Sequence, residues 1–126
     1  MAEKIKLVHG DTKPALVVSL TDQSTGDPID VATATVRMKF RAAGGDTVLS
    51  TLTASKIAGR VLTDGTVNSA APYDVPGKGG RVQFGWGIGD LNQDAGDYEG
   101  EIEITYSDSS VQTVYDVLKF KLRKDF

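Results

Sequence analysis

The chain has no cysteine and a single histidine among its 126 residues. Without cysteine there is no disulfide and no thiolate nucleophile, so the fold holds together by packing alone. One histidine leaves only a serine triad around His9, and no nucleophile elbow accompanies it. We therefore predict no catalytic residue and no cofactor.

Long apolar runs and a basic excess are also missing. No apolar stretch approaches the ~20 residues of a membrane-spanning helix, and the first residues lack the apolar core of a secretory signal. The net charge is −3, whereas a surface that binds nucleic-acid phosphates is basic. The composition, 40% apolar and 25% charged, is typical of one soluble globular domain over residues 1–126. We expect no nucleic acid and no membrane among its partners.

Carboxylates occur in two groups, and neither has the spacing of a known metal or catalytic site. Asp90, Asp94 and Asp97 lack the alternating ligands and the fixed glycine of an EF-hand calcium loop. Three glutamates after Tyr98 lie along one strand face, whereas a glycosidase needs two carboxyls facing each other across a cleft. The prediction is therefore no metal site and no enzyme activity.

What the chain does contain is alternation with a period of two, and no long segment has helical spacing. Fourteen glycines suit short strands joined by turns. Strands are predicted at Ile5–Val8, Ala15–Leu20, Ala34–Arg41, Thr47–Thr53, Ile57–Leu62, Gly80–Trp86, Tyr98–Tyr106, Val111–Tyr115 and Val117–Arg123. A bulge near Asp116 would join the last two. This pattern favours a single all-β sandwich.

Three of these strands alternate apolar residues with charges, in the order basic, acidic, basic. Opposite charges on neighbouring strands attract, whereas like charges repel. Antiparallel pairing would place Arg37 near Glu103, Lys39 near Glu101 and Arg41 near Glu99. On the other side, Lys119 would lie opposite Glu99 and Lys121 opposite Asp97. We predict one sheet with the Tyr98 strand between the two basic strands.

The remaining apolar sets belong to the opposite sheet. Leu16, Val18 and Leu20 form one inward set, and Val82, Phe84 and Trp86 form another. Buried aromatic residues dominate the energetics of protein cores, so we interpret these residues as core packing.

A long loop is predicted at about residues 64–80, because the segment has few large apolar residues. Pro72 and Tyr73 would give it a stiff turn with an aromatic tip. We interpret it as an assembly arm that stays mobile until it meets a partner. The alternative is a plain surface connector.

The stretch Asp94-Ala95-Gly96-Asp97-Tyr98 places a tyrosine at the start of a central strand. This is typical of the tyrosine corner of immunoglobulin-like (Ig-like) domains, in which the phenol bonds back to upstream backbone. Gly100 stands where an antibody domain would have its second cysteine. We predict a buried Tyr98 with its hydroxyl bonded to backbone in the loop at residues 90–96.

Several motifs follow one another in an order seen in a known family. They are Gly10-Asp11-Thr12-Lys13-Pro14, Gly26-Asp27-Pro28-Ile29-Asp30-Val31, Ala34-Thr35-Val36-Arg37-Met38, Ala95-Gly96-Asp97-Tyr98-Glu99-Gly100-Glu101-Ile102 and Gln112-Thr113. Together they resemble the N-terminal Ig-like domain of bacteriophage upper baseplate proteins and related small phage tail proteins. The resemblance covers nearly the whole chain, although Val31 replaces the family's usual leucine.

This resemblance implies an antiparallel, Greek-key Ig-like sandwich that works as a structural subunit. Its partners would be other phage tail or baseplate proteins and further copies of itself, in a virion assembled in the cytoplasm of the bacterial host. The alternative is an Ig-like carbohydrate-binding module, for which Tyr73, Trp86 and Tyr106 are the candidate sugar-stacking residues.

Overall fold

A computed structural model of the protein describes residues 4–13, 15–22, 24–114 and 117–124. These residues form strands and turns, and no helix. The strands are β1 (Ile5–Val8), β2 (Leu16–Ser19), β3 (Thr35–Ala42), β4 (Ser50–Thr53), β5 (Ser55–Lys56), β6 (Arg60–Val61), β7 (Val67–Asn68), β8 (Arg81–Phe84), β9 (Gly96–Thr105), β10 (Val111–Thr113) and β11 (Leu118–Arg123). The all-β prediction is confirmed.

The larger sheet has β9 at its centre. Its order is β1-β11-β9-β3-β4, and β10 pairs with the C-terminal end of β9. The strand of glutamates therefore lies between the two basic strands, as the alternation of charge predicted. One pairing corrects the antiparallel prediction, because β1 runs parallel to β11. Most of the chain separates these two strands and provides the crossover that parallel pairing requires.

The second sheet has the order β2-β8-β5 and packs its inner face against the first. Val82 and Phe84 of β8 are fully buried, and Trp86, which follows them, is also buried. Leu20, just after β2, is buried as well. The apolar sets assigned to the opposite sheet therefore do lie on that side of the core.

Four aromatic rings join the two sheets. The ring of Phe40 stacks on Tyr98 with 5.1 Å between centroids, and it meets Trp86 and Phe120 edge-on at 5.2 and 5.5 Å. Aromatic pairs of this kind contribute ~0.5–1.5 kcal/mol each beyond the area that they bury. The cluster occupies the centre of a core that has no disulfide to hold it.

Two strand predictions need correction. The predicted strand Thr47–Thr53 begins only at Ser50. Of the predicted strand Ile57–Leu62, only β6 is extended and paired, and its partner is β7 rather than either large sheet. Gly59, directly before β6, has a φ of 107°, which interrupts an extended strand. The bulge predicted near Asp116 falls outside the described residues.

The segment at residues 64–80 is tied to the sandwich more closely than its composition predicted. It contains β7, and backbone hydrogen bonds join Val31 N to Gly77 O (3.0 Å) and Leu20 N to Gly80 O (2.8 Å). A Cβ atom on Gly79 would lie 2.2 Å from the carbonyl oxygen of Gly59. The prediction of a loop outside the core is therefore wrong for residues 77–80. Glycines bury backbone rather than side chains, and an argument from apolar side chains overlooks that contribution.

Candidate functional site

The charged outer face of the larger sheet has the register that the sequence predicted. On the β3 side of β9, the Cα partners are Arg37 with Glu103, Lys39 with Glu101, and Arg41 with Glu99. On the β11 side, Lys119 lies opposite Glu99 and Lys121 opposite Asp97. Each glutamate of the row consequently has a cationic residue as its direct cross-strand neighbour. The predicted pairing is confirmed at the level of the backbone.

The side-chain ion pairs on this face do not all join residues that are Cα partners. Arg41 Nε lies 2.8 Å from Glu99 Oε1, its direct partner. Lys39 instead reaches diagonally, with Nζ 3.4 Å from Glu103 Oε2. Diagonal neighbours are within reach of long side chains, so a flexible lysine has a choice of partners. Within the described part of the chain, Arg37 and Glu101 consequently make no ion pair.

This face leaves its ion pairs only partly exposed to the solvent. The side chains of Lys39 and Arg41 keep 40% and 35% of their surface exposed, and those of their partners Glu103 and Glu99 keep 24% and 18%. Exposed ion pairs contribute only ~0–1 kcal/mol each to stability. In an interface, however, such a pattern selects complementary partners and repels others. The face therefore suits recognition better than stabilisation.

Tyr98 forms the contact that the sequence predicted. It is buried, and its hydroxyl donates a hydrogen bond to the carbonyl oxygen of Asp94 at 2.5 Å. Burial raises the pKa of the phenol, and the nearby Asp94 carboxylate raises the pKa further, so the hydroxyl stays a donor. The bond holds the loop before β9 against the aromatic cluster.

His9 contacts the loop before β9, and this contact has a structural role. Its Nδ1 lies 2.7 Å from the carbonyl oxygen of Gln93, an acceptor, so Nδ1 carries the proton. Next to it, Gly10 N donates to Leu91 O at 3.0 Å. The histidine therefore fastens the end of β1 to the loop that precedes β9.

Pro72 and Tyr73, the residues proposed for an assembly loop, lie in a turn that is anchored to β6. The backbone oxygen of Tyr73 accepts from Gly59 N at 2.8 Å, and its hydroxyl accepts from Arg60 Nη1 at 3.1 Å. The guanidinium of Arg60 also lies 5.6 Å from the centre of the tyrosine ring. Tyr73 is half-buried by these contacts, whereas Pro72, which follows a cis peptide bond, is exposed.

One of the three aromatic candidates for sugar binding is buried, and the other two are half-buried. Trp86 is only 5% exposed and packs inside the aromatic cluster, so its assignment as a sugar-stacking residue is corrected. Tyr106 is half-buried, and its hydroxyl donates to Gln112 Oε1 at 2.6 Å. Stacking on a sugar requires an exposed ring face, which Trp86 lacks.

The aspartates that were compared with a calcium loop take part in separate contacts. Asp90 accepts from Ser50 Oγ (3.0 Å) and from Gly87 N (2.7 Å), so both of its oxygens are used. Asp97, in β9, pairs with Lys4 at 3.1 Å. Within residues 4–13, 15–22, 24–114 and 117–124, no group of three or more His, Cys, Asp or Glu side chains is placed to hold a metal ion.

Exposed apolar residues form a feature that the sequence reasoning missed. Ile88 is 99% exposed at the tip of the turn that Asp90 closes. On the β6–β7 ribbon, Val61 and Val67 are direct cross-strand partners and are both exposed. The flanking glycines of Gly87-Ile88-Gly89 were the available signal, since glycine is typical of turns and connecting segments run over the protein surface.

None of the described residues belongs to a helix long and apolar enough to cross a membrane. Comparison of the chain with protein-family models, with curated proteins and with solved structures finds no match.

Proposed function

We propose that this chain is a structural subunit of a bacteriophage tail, a baseplate or a neighbouring connector. It acts by protein–protein assembly, without catalysis and without a cofactor. Its partners are other tail or baseplate proteins and further copies of itself, and its place is the virion, assembled in the bacterial cytoplasm. The proposal starts from the succession of sequence motifs that resembles upper baseplate domains, and the geometry adds support to it.

We further propose that the sandwich has the Ig-like Greek-key topology. In variable-type Ig domains one sheet contains strands G, F, C and C′, and the other contains B, E and D. The orders β11-β9-β3-β4 and β2-β8-β5 agree with these two series. The observation that carries the proposal is the bond from Tyr98 to Asp94, because it lies at the start of the strand that corresponds to F.

The turn at Pro72 and Tyr73 supports an assembly role in a form that differs from a flexible arm. Arg60 and the backbone of Gly59 hold the turn in place, so a partner would not have to order it. A pre-organised contact loses less conformational entropy on binding. Val75, two residues further on, is 47% exposed and extends the apolar surface of the turn.

The proposed place in a virion is tested by the location of the native protein. Genes for tail or capsid proteins are expected on both sides of its coding sequence. An antibody against the domain should label the tail or baseplate of purified particles in electron micrographs. Absence of the protein from particles, together with a monomer that is retained on a glycan array, would favour the carbohydrate-binding alternative instead.

The assembly turn is tested by a double variant, Pro72→Ser with Tyr73→Ser. Both changes spare the buried glycines at residues 77–80, so the protein should still fold, as circular dichroism would verify. We expect the folded variant to be absent from particles. Asp46→Ser, in the exposed β3–β4 turn, is the matched control and should be incorporated normally. Normal incorporation of the double variant would show that this turn is not the interface, which would then have to lie at the sheet edges or on the charged face.

A further inference from the structure

Inward-facing side chains along one flank of the sandwich are left partly uncovered. Val82 and Phe84 on β8 are fully buried, but their cross-strand partners on β2, Val18 and Leu16, are only half-buried. Direct antiparallel partners point to the same face of a sheet. The difference therefore arises because nothing in the described structure covers the core on the β2 side.

The larger sheet shows the same gap where it faces β2. Gln112 on β10 is the partner of Ile104, which is fully buried, yet Gln112 is exposed. Val114, whose N–H donates to Ile102 O at 2.9 Å, is half-buried although its partner Ile102 is buried. Both sheets consequently leave their inner faces accessible along a common seam.

A continuous groove follows this seam. Two hollows of about 350 and 190 Å³ adjoin each other and share Thr21, Ile29 and Val114 in their walls. We call the groove the open flank, and it is bordered by residues 18–22 of the smaller sheet and 112–114 of the larger one. Leu118 and Ile102 contribute to its apolar floor.

In the described part of the chain, two strand edges beside the open flank, those of β2 and β10, are unpaired, whereas the residues just after β2 are paired: Ile29 N donates to Leu20 O at 2.9 Å and Asp22 N to Asp27 O at 2.8 Å. Within the described chain, β2 pairs only with β8, and β10 pairs only with β9. Each strand therefore has an outer edge whose N–H and C=O groups are not used by another strand. Such an edge is a template for one more extended strand, whose side chains alternate between the floor and the solvent.

The charge of the open flank indicates which charge a binding strand should carry. Among the described residues that line it, Asp22 is the one charged side chain, and it lies at the rim. Its Oδ1 accepts only a local bond from Ser24 N, at 2.8 Å. A strand with a lysine or an arginine near this carboxylate would complement it, whereas an acidic strand would be repelled.

We propose that the open flank binds an extended segment of a partner protein, with apolar side chains directed to the floor and a cationic residue beside Asp22. The segment adds a strand to the edge of β2 or β10 and completes the sandwich. This inference goes beyond the proposed function and does not depend on it, because it rests on burial, unpaired edges and charge alone.

The test uses a synthetic peptide, Lys-Val-Thr-Val-Thr-Val-Lys with blocked ends, titrated into the protein at up to millimolar concentration. We expect saturable changes in the amide chemical shifts of β2, β10 and residues 20–29. The matched control peptide replaces both threonines by proline, which removes N–H donors from the strand, and it should not bind. Amide hydrogen exchange on β2 and β10 should slow when the first peptide is bound.

Protein variants locate the site. Val18→Ala, which removes part of the floor, should weaken binding about fivefold. Val17→Ala, on the opposite face of β2, should leave the affinity unchanged, as its exposed side chain points away from the groove. Asp22→Asn should weaken the lysine peptide but not a version that ends in glutamine.

Three results would overturn the proposal: no shift changes at millimolar peptide, shifts at the β1 or β4 edges instead, or equal binding of the proline peptide. Self-association that protects β2 would show that a second copy occupies the groove, which also contradicts a different partner. Should Val18→Ala fail to fold, the hydrogen-exchange result on the unmodified protein decides the question.

Discussion

Gly100 is a position where a single methyl group should disturb the centre of the core. A Cβ atom there would lie 2.6 Å from Met38 Sδ, 3.0 Å from Met38 Cγ and 3.0 Å from Phe120 Cε2. Both neighbours are fully buried, and Phe120 is packed edge-on against Phe40 and Trp86. The methionine and the ring thus fill the space beside Gly100, so one of them must shift to admit a methyl group.

The magnitude follows from two opposing effects. An extra methyl group forced into a filled core costs typically ~1–3 kcal/mol. Alanine also restricts the unfolded chain more than glycine does, which stabilises the folded state by about 0.4–1 kcal/mol. The φ of Gly100 is not in the left-handed region, so the backbone accepts alanine. We therefore expect Gly100→Ala to lower the free energy of unfolding by a net ~1–2 kcal/mol.

Urea unfolding measures this effect, with the fluorescence of Trp86, the single tryptophan, as the probe. Gly85→Ala is the matched control, because a Cβ there meets nothing within 4 Å, and it should be neutral or slightly stabilising. Met38→Ala alone should cost ~2–5 kcal/mol. Combined with Gly100→Ala, it should cost less than the sum, by about 1–2 kcal/mol, since the two atoms no longer collide. A Gly100→Ala variant as stable as the wild type, or strict additivity, would refute the reasoning.

Three further changes test other contacts. Tyr98→Phe should lower the free energy of unfolding by ~1–3 kcal/mol, because a carbonyl loses its buried donor, and unchanged stability in urea would argue against the corner. A double-mutant cycle with Arg41→Gln and Glu99→Gln should give a coupling of ~0.2–1 kcal/mol that shrinks in high salt, whereas salt-independent coupling would contradict a pair that is partly open to the solvent. Burial acts to raise the pKa of Asp30, but hydrogen bonds from a backbone N–H and Lys78 outweigh it and hold the pKa below 3.8. The stabilisation is thus present above that pH and lost as pH falls through the lowered pKa. Asp30→Asn should therefore be less stable than wild type at pH ~7, with a deficit that shrinks as the pH falls through that pKa, and a deficit that does not change with pH would contradict the assignment.

The sequence predicted the larger sheet well because the charged residues and the apolar residues follow the same period of two along its strands. Shifting β9 by one residue against β3 would turn its glutamates into the core, so the register has one acceptable solution. The choice between Glu101 and Glu103 as partner of Lys39 was not predictable in the same way. It depends on the rotamer of a partly exposed lysine, and an exposed ion pair contributes only ~0–1 kcal/mol.

The segment at residues 64–80 shows where composition misleads. Its few apolar side chains suggested a loop apart from the core, but Gly79 and Gly80 bury their backbone against Gly59 and Leu20. The sequence alone does not distinguish a glycine that permits the close approach of two backbone segments from a glycine that permits a flexible turn. Only the contact with a distant segment distinguishes the two, and the sequence does not state which segment that is.

The open flank lies beyond sequence reasoning for a related physical reason. Alternation shows that Val18 and Val82 point to the same side of a sheet, yet it cannot show that only one of them is covered. Coverage depends on whether another strand lies beside β2, and within the described residues β2 pairs only with β8. A half-buried apolar row beside an unpaired edge stabilises the isolated domain less than a completed sheet would. A partner strand that completes it would therefore gain hydrophobic burial and backbone hydrogen bonds in the same step.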